Sequence, residues 1–156
     1  MSEKKKETND AKENTHDPMA YVVPRLEGLL DILEELDMSA ELMLDEGEVP
    51  YAVGEKTDGT LTYFTYIPFD LENEGQFVLQ ISRIVRDGSN DTETSLIDIA
   101  SYNLESSFGF AVQDPQSGDI VLRAQVPEMG GTGLEWYAYI FEMFEDACGA
   151  LIDALS

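Results

Sequence analysis

The hydrophobic positions of this chain begin to repeat only after a polar stretch of 17 residues. Residues 1–17 are rich in Lys, Glu, Asn and Thr and poor in apolar side chains, which is typical of a disordered tail. From Tyr21 onwards leucines recur at helical spacing, with acidic residues between them. They are Leu26, Leu29, Leu30, Leu33 and Leu36. The pattern predicts a tail over 1–17, a single domain over 18–156, and an amphipathic helix over about residues 24–37 with Pro24 in its first turn.

The period then changes from that of a helix to that of β-strands. A short strand is predicted over residues 50–55, with a further candidate strand around residues 40–44. Asp58-Gly59 supplies turn chemistry before a strongly aromatic strand over residues 61–69. In residues 77–85, apolar side chains alternate with polar ones, which indicates a sheet with one buried face. These segments predict an antiparallel meander of three strands.

The second half of the chain predicts a helix, a hairpin and a second, longer helix. Ser95 and Asp98 have the spacing of a capping box before a short helix. Residues 108–113 and 119–126 form two strands around the turn residues 114–118. Thr132 and Glu135 cap a final helix over about residues 134–155. The order α-β-β-β-α-β-β-α predicts an α+β fold, with helices packed on a mostly antiparallel sheet.

The acidic residues are concentrated in the predicted domain. The formal net charge is -23, and residues 17–156 hold 28 of the 32 acidic side chains but only five of the nine basic ones. Nucleic acid and anionic membrane surfaces should be repelled by this charge, whereas cations and basic peptide segments should be attracted. An acidic surface can also serve solubility or adaptation to salt, and that alternative stays open. No apolar run is long enough to span a membrane.

Few side chains of the predicted domain suit catalysis. His16, the single histidine, lies in the predicted tail, so a catalytic triad or zinc site that needs a domain histidine is excluded. The single cysteine, Cys148, lies at helical spacing with Phe144, Leu151 and Leu155 and is predicted to be a small core side chain. A lone cysteine fits a reducing cytoplasm, where we expect the protein to act. The sequence therefore predicts a protein that is not an enzyme and needs no cofactor.

Three local patterns resemble ligand sites but have simpler explanations. Residues 130–133 read Gly-Gly-Thr-Gly before a helix, yet they lack the lysine of a phosphate-binding loop and have acidic neighbours. Residues 87–98 match a calcium loop at several positions, but Thr92 replaces its glycine and Asp98 its bidentate glutamate. Acidic clusters at 45–48 and 70–74 could supply paired carboxylates, although nothing marks them as convergent. Solvated loops and a helix cap explain all three, so no metal site is predicted.

The aromatic strand carries large side chains on both of its faces. Phe64 and Tyr66 point to one side, whereas Leu61, Tyr63, Ile67 and Phe69 point to the other. Either a helix or the N-terminal segment covers the second face, or that face binds a partner or a second copy. On the second interpretation the candidate partner-binding residues are Phe64 and Tyr66 on the strand, together with Trp136 and Tyr139 near the start of the last helix.

The order of elements resembles the type III secretion chaperone-like fold, which secretion chaperones share with the YbjN family of bacterial proteins. Asn103 and the hairpin over residues 114–122, followed by a Gly-rich loop and an aromatic terminal helix, are similar to YbjN proteins. The resemblance covers about residues 22–155 and implies a small cytoplasmic protein, usually dimeric, that binds polypeptide or acts as a regulator.

Taken with the charge, the resemblance leads us to expect a non-enzymatic, chaperone-like domain that binds a protein or a basic peptide through apolar patches and forms a homodimer. A YbjN-type regulatory module without chaperone activity is the first alternative. A carboxylate-based metal binder or hydrolase is the second.

Overall fold

The computed structural model describes residues 18–68, 77–88, 96–128 and 133–155. The predicted tail over 1–17 lies outside these residues. A 3-10 turn, Pro18–Tyr21, leads into the first helix. The helices are α1 (Val22–Glu35), α2 (Leu96–Glu105) and α3 (Leu134–Leu155). The strands are β1 (Ser39–Met43), β2 (Tyr51–Glu55), β3 (Leu61–Pro68), β4 (Phe77–Arg86), β5 (Phe110–Gln113) and β6 (Ile120–Glu128).

The strands form one antiparallel sheet in the order β1-β2-β3-β4-β6-β5. The first four strands make a meander, and the chain then passes through α2 and returns as the β5–β6 hairpin, with β6 beside β4. The α+β class is confirmed, and the candidate strand around residues 40–44, which the predicted order of elements left out, is present. Residues 39–43 form β1, whose five residues all pair with β2.

Helix α1 follows the predicted leucine stripe closely. Its buried side chains recur every three or four residues and pack against β1, β2 and β3. They are Val22, Leu26, Leu29 and Leu33. The helix ends before Asp37, which adopts a positive φ of 63°, and the Met38 N–H donates to the Leu33 carbonyl. The predicted helix is confirmed, two residues closer to the N-terminus.

Helix α3 covers the other half of the same sheet face and has the predicted bounds, 134–155. One face of the helix is buried and packs against β4 and β6. Its buried residues are Tyr137, Ile140, Phe141, Phe144, Cys148, Leu151 and Leu155. Helix α2 packs against β5 and α3, so that all three helices lie on one side of the sheet.

Gly54 in β2 allows α1 to approach the sheet closely. A Cβ atom there would lie 3.2 Å from Cε2 of Phe64 and 3.1 Å from Sδ of Met38. The Phe64 ring therefore packs onto bare backbone, and any larger residue at position 54 would push the ring or Met38 away.

Asn103 of α2 occupies the outer edge of β5. Its Nδ2 donates to the Ala111 carbonyl over 2.9 Å, and the Ala111 N–H donates to its Oδ1 over 2.7 Å. The side-chain amide thus pairs with β5 much as the backbone of a further strand would.

Candidate functional site

The face of the sheet that the helices leave uncovered is the principal candidate surface. We call it the open face and define it by the outward residues of β3 to β6. They are Leu61, Tyr63, Thr65, Ile67, Val78, Gln80, Ser82, Ile84, Phe110, Val112, Val121, Arg123, Gln125 and Pro127. Several are exposed, among them Ile84 at 45% and Leu61 at 41%. A face this rich in apolar side chains is typical of an interaction surface.

The open face differs sharply in charge from the helices. None of these residues of β3 to β6 is acidic, and Arg123 is the one charged side chain among them. Two carboxylates, Glu41 of β1 and Glu55 of β2, lie on the same side of the sheet at its β1–β2 end. The exposed faces of α1 and α3, which we call the acidic side, carry carboxylates along their length. These are Glu27, Asp31, Glu34, Glu35, Glu135, Glu142, Asp146 and Asp153. Depletion of charge is a property of the centres of protein interfaces.

Polar contacts order the middle of the open face. Gln125 Nε2 donates to Gln80 Oε1 over 2.9 Å, across the β4–β6 pair. Thr65 Oγ1 donates to the Pro50 carbonyl over 2.8 Å. The rings of Tyr51 and Tyr63 lie 6.1 Å apart beside a shallow depression of about 310 Å³. The face therefore presents a preformed surface with hydrogen-bonding groups and aromatic edges, as binding surfaces do.

Phe64 and Tyr66 are not on the open face, and their selection as partner-binding residues is corrected by the structure. They are only 1% and 2% exposed. The centre of the Phe64 ring lies 5.2 Å from that of Phe141 in α3, and the Tyr66 ring meets Phe77 edge-on at 6.1 Å. Because α1 and α3 pack on the same side of β3, this aromatic set is core and Tyr63 belongs to the surface.

Trp136 and Tyr139, the other two candidates, lie in the first turns of α3. Tyr139 is 61% exposed, whereas Trp136 is half-buried and meets Tyr137 edge-on with 4.9 Å between ring centres. Both are therefore at the surface on the helical side of the molecule, and neither belongs to the open face.

Glu128 at the end of β6 is buried but fully engaged. Arg25 Nη1 donates to its Oε1 and Tyr137 Oη to its Oε2, both over 2.7 Å. The hydroxyl of Tyr66 lies 3.3 Å from that of Tyr137, and burial raises the pKa of the Tyr66 phenol, so the phenol stays protonated. This cluster links α1 and α3 to the sheet, and a carboxylate already paired with arginine is poorly placed as a catalytic base.

Arg83 makes a second buried connection, between β4 and α3. Its Nη1 and Nη2 donate to Glu145 Oε2 and Oε1 over 2.9 and 2.6 Å, and Nη2 also donates to Thr62 Oγ1 over 2.7 Å. The hydrogen bond from Arg83 holds the pKa of Glu145 below its usual range. No signal in the sequence pairs Arg83 with Glu145, since 62 residues separate them.

Cys148 is a core side chain, as predicted. Burial raises the pKa of its thiol to about 11, so the thiolate that a nucleophile requires is scarce at neutral pH. Among the described residues no group of three or more His, Cys, Asp or Glu side chains could hold a metal ion. The calcium-like and Gly-Gly-Thr patterns and the cluster at 70–74 lie wholly or largely outside the described residues. The cluster at 45–48 is an exposed turn.

A groove of about 560 Å³ lies between α2 and α3. One wall carries Tyr102 of α2 and Phe108 from the loop that follows, and the other is the outer face of α3 from Met143 to Ala154. Asp98, Glu105 and Asp146 line it as well. We call it the α2–α3 groove.

In the described part of the chain, no helix is long and apolar enough to cross a membrane.

Six antiparallel strands with three helices on one face define a YbjN-like α+β fold. No protein-family model matches the chain, and no curated protein matches it. Among solved structures, the chain is similar to the crystal structure of YbjN from E. coli, which carries a provisional assignment as a transcription regulator. The TM-score is 0.52 at 16% identity, and the alignment covers 81% of this chain and 87% of that one. At this identity the similarity shows the fold alone.

Proposed function

We propose that this protein is a regulatory module of the YbjN type that acts by binding other proteins. The open face carries the proposal that the chain binds protein, because it is an ordered and partly apolar surface without acidic residues across β3 to β6, in a chain of net charge -23. Surfaces of this kind are costly to leave in water and are retained where a partner covers them.

Nucleic acid is an unsuitable partner for this chain. The acidic side would meet phosphate with eight exposed carboxylates, and the open face offers Arg123 as its one cation among the described residues. Affinity for nucleic acid depends on several lysine or arginine contacts to phosphate. A regulatory role is therefore exerted through proteins, in the cytoplasm, where a free cysteine persists.

Catalysis has little support in the described residues. Two carboxylates, the buried Glu128 and the partly exposed Glu145, are neutralised by arginine, and the thiol of Cys148 is protonated. These groups hold helices to the sheet, so we propose a protein without enzymatic activity.

A chaperone that holds an unfolded client is the second candidate. The apolar side chains of the open face favour it as well, because they could bind an extended segment. The regulatory interpretation has the additional support of the similar structure, whose assignment is to regulation. The two differ in one observable property: a chaperone suppresses aggregation of an unfolded client, whereas a regulator binds a folded partner.

A second copy of the chain is the occupant that we propose for the open face. Two such subunits repel each other strongly, and this repulsion is smallest when they meet through the surface that is poorest in acidic residues, which is the β3–β6 part of the sheet. In a face-to-face homodimer the acidic sides point away from each other, which maximises the distance between like charges. Further protein partners would then bind elsewhere on the dimer.

Affinity capture from native lysate tests the function. The wild-type chain and the Ile84→Lys and Ile152→Lys variants would serve as baits, with bound proteins identified by mass spectrometry after nuclease treatment. Ile84 lies on the open face and Ile152 on α3, and they are similarly exposed at 45% and 50%. We expect the wild-type and Ile152→Lys baits to recover the same folded protein, and nuclease treatment should not remove it. Recovery of nucleic acid alone, or of nothing above background, would contradict the proposal.

A further inference from the structure

The α3 wall of the α2–α3 groove is a stripe of mostly small side chains. Met143, Ala147, Ala150 and Ala154 line it at intervals of three or four residues, so they share one helix face. Three of the four are alanines, which leave room for the backbone of another helix to come close. From Met143 to Ala154 the wall is about 16 Å long at 1.5 Å per residue, or three turns of helix.

Trp136 and Tyr139 continue this wall towards the N-terminus of α3. Tyr139 precedes Met143 by four residues and Trp136 precedes it by seven, so both lie on the same helix face. The wall therefore has large aromatic side chains at one end and small ones at the other. Surface aromatic residues of this kind are the ones that most often anchor a partner.

The rim of the groove is acidic and is not neutralised by the described residues. Asp98, Glu105 and Asp146 are exposed and make no ion pair with a described residue. No lysine or arginine lines the groove among the described residues. Arg25, Lys56 and Arg83 are paired with carboxylates elsewhere in the fold. The cations that would complement this rim therefore come from outside the described residues.

We propose that the α2–α3 groove binds an amphipathic helical segment of a partner protein. About three turns of the segment lay an apolar stripe on the Met143–Ala154 wall, and lysine or arginine on its flanks faces Asp98, Glu105 and Asp146. The proposal rests on the proposed function and names the partner's chemistry: basic, helical and apolar on one face.

Two other occupants fit the groove less well. A second copy of the chain presents helices whose exposed faces are acidic, so it would add like charge to the rim. The chain's own residues 1–17 contain four lysines, but Met1 and Ala11 are nearly their only apolar side chains. A segment without an apolar stripe cannot cover the alanine wall.

Synthetic peptides test the proposal directly with the full-length chain. A 15-residue peptide with leucine and alanine at helical spacing and lysine elsewhere is compared with a scrambled peptide of identical composition and with a version that carries glutamate for lysine. Trp136, the single tryptophan, reports binding by its fluorescence. We expect a dissociation constant of roughly tens of micromolar for the first peptide, at least about tenfold weaker binding for the second and none for the third. Equal binding of the scrambled peptide would overturn the proposal, since attraction to net charge alone would explain it.

Replacing each of two exposed alanines by phenylalanine locates the binding site. Ala150→Phe fills the groove, whereas Ala100→Phe adds the same ring to the face of α2 that does not line it. Both alanines are exposed, so both variants should fold, and circular dichroism checks this. We expect Ala150→Phe to weaken the lysine peptide at least about tenfold and Ala100→Phe to change it less than about twofold. Equal effects, or no effect of Ala150→Phe, would overturn the site.

The open-face variant Ile84→Lys separates this proposal from the proposed function. It should bind the lysine peptide as the wild type does, because the groove lies on the helical side of the sheet. If the peptide fails to bind while wild-type capture succeeds, the groove proposal fails alone. If the peptide binds its site while capture recovers no protein, the proposed function fails alone.

Discussion

The two sides of the sheet differ in how many acidic residues they expose. The helical side buries its apolar residues under α1 and α3 and carries its charge outside them as rows of carboxylates. The open face leaves tyrosine, isoleucine and glutamine at the surface and carries no acidic residue in β3 to β6, with Glu41 and Glu55 on the same side at the β1–β2 end of the sheet. Carboxylates are therefore dense on the helices and sparse over β3 to β6, so that repulsion between two copies would be weakest at the open face.

The largest effect should come from breaking the core side of β3. Phe64→Ala removes a ring that packs on Gly54 and Phe141, and we expect a loss of about 3–5 kcal/mol in the free energy of unfolding. Tyr63→Ala, one residue away on the open face, should cost about 1 kcal/mol or less, since its side chain is half-exposed. Urea denaturation measures both. Similar losses would mean that both faces of β3 are buried.

Association through the open face should respond to a single charge. The wild-type chain is expected to be a homodimer at high micromolar concentration by light scattering, and Ile84→Lys should raise its dissociation constant by about a hundredfold, because the two substituted residues introduce desolvated lysines. Ile152→Lys, on α3, should leave the dimer intact. Higher salt should strengthen the wild-type dimer by screening repulsion. A strict monomer at these concentrations would remove the open face as a dimer interface.

A smaller, pH-dependent effect should mark the connection between β4 and α3. Arg83 lowers the pKa of Glu145, so this carboxylate contributes stability that is present above its unfolded pKa of about 4.3 and is lost as the pH falls below that value. We expect Glu145→Gln to cost about 1–2 kcal/mol at pH 7, since the pair is partly exposed, and progressively less below pH 4.

Urea denaturation of the wild type and of Glu145→Gln at pH 7 and at pH 3.5 tests this pair. Acid relieves charge repulsion equally in both proteins, so the difference between their free energies of unfolding reports the ion pair alone. A cost of the substitution that does not change with pH would show that the ion pair contributes no stability. Glu142→Gln, an exposed change on the same helix, is the matched control and should stay near zero at both pH values.

The helices and strands were predictable because their signals are local. The leucines that predict α1 lie within a few residues of one another, and so do the capping-box residues that predict the start of α3. Both helices were placed to within two residues. The alternation in β3 likewise showed that Phe64 and Tyr63 point in opposite directions. It could not show which of them faces the helices, because both sides of the strand are aromatic and the choice depends on where α1 and α3 return.

The surfaces were less predictable, because they depend on contacts between segments that are far apart in sequence. The acidic rows of α1 and α3 follow from helical spacing, but the open face, which lacks acidic residues across β3 to β6, is created by strands far apart in sequence. Arg25 and Glu128, 103 residues apart, meet only in the folded chain. Interactions of this kind need the topology before they can be named.

The pairing of Asn103 with β5 has a consequence for the size of any assembly. An unpaired strand edge is a template on which further chains can add without limit, as ribbons or fibrils. At Ala111 that template is occupied by a side chain of the same molecule, which offers its own donor and acceptor where a neighbouring backbone would dock. Growth by strand addition at β5 is thereby discouraged, which leaves β1, at the opposite end of the sheet, as the edge to which a further strand could add.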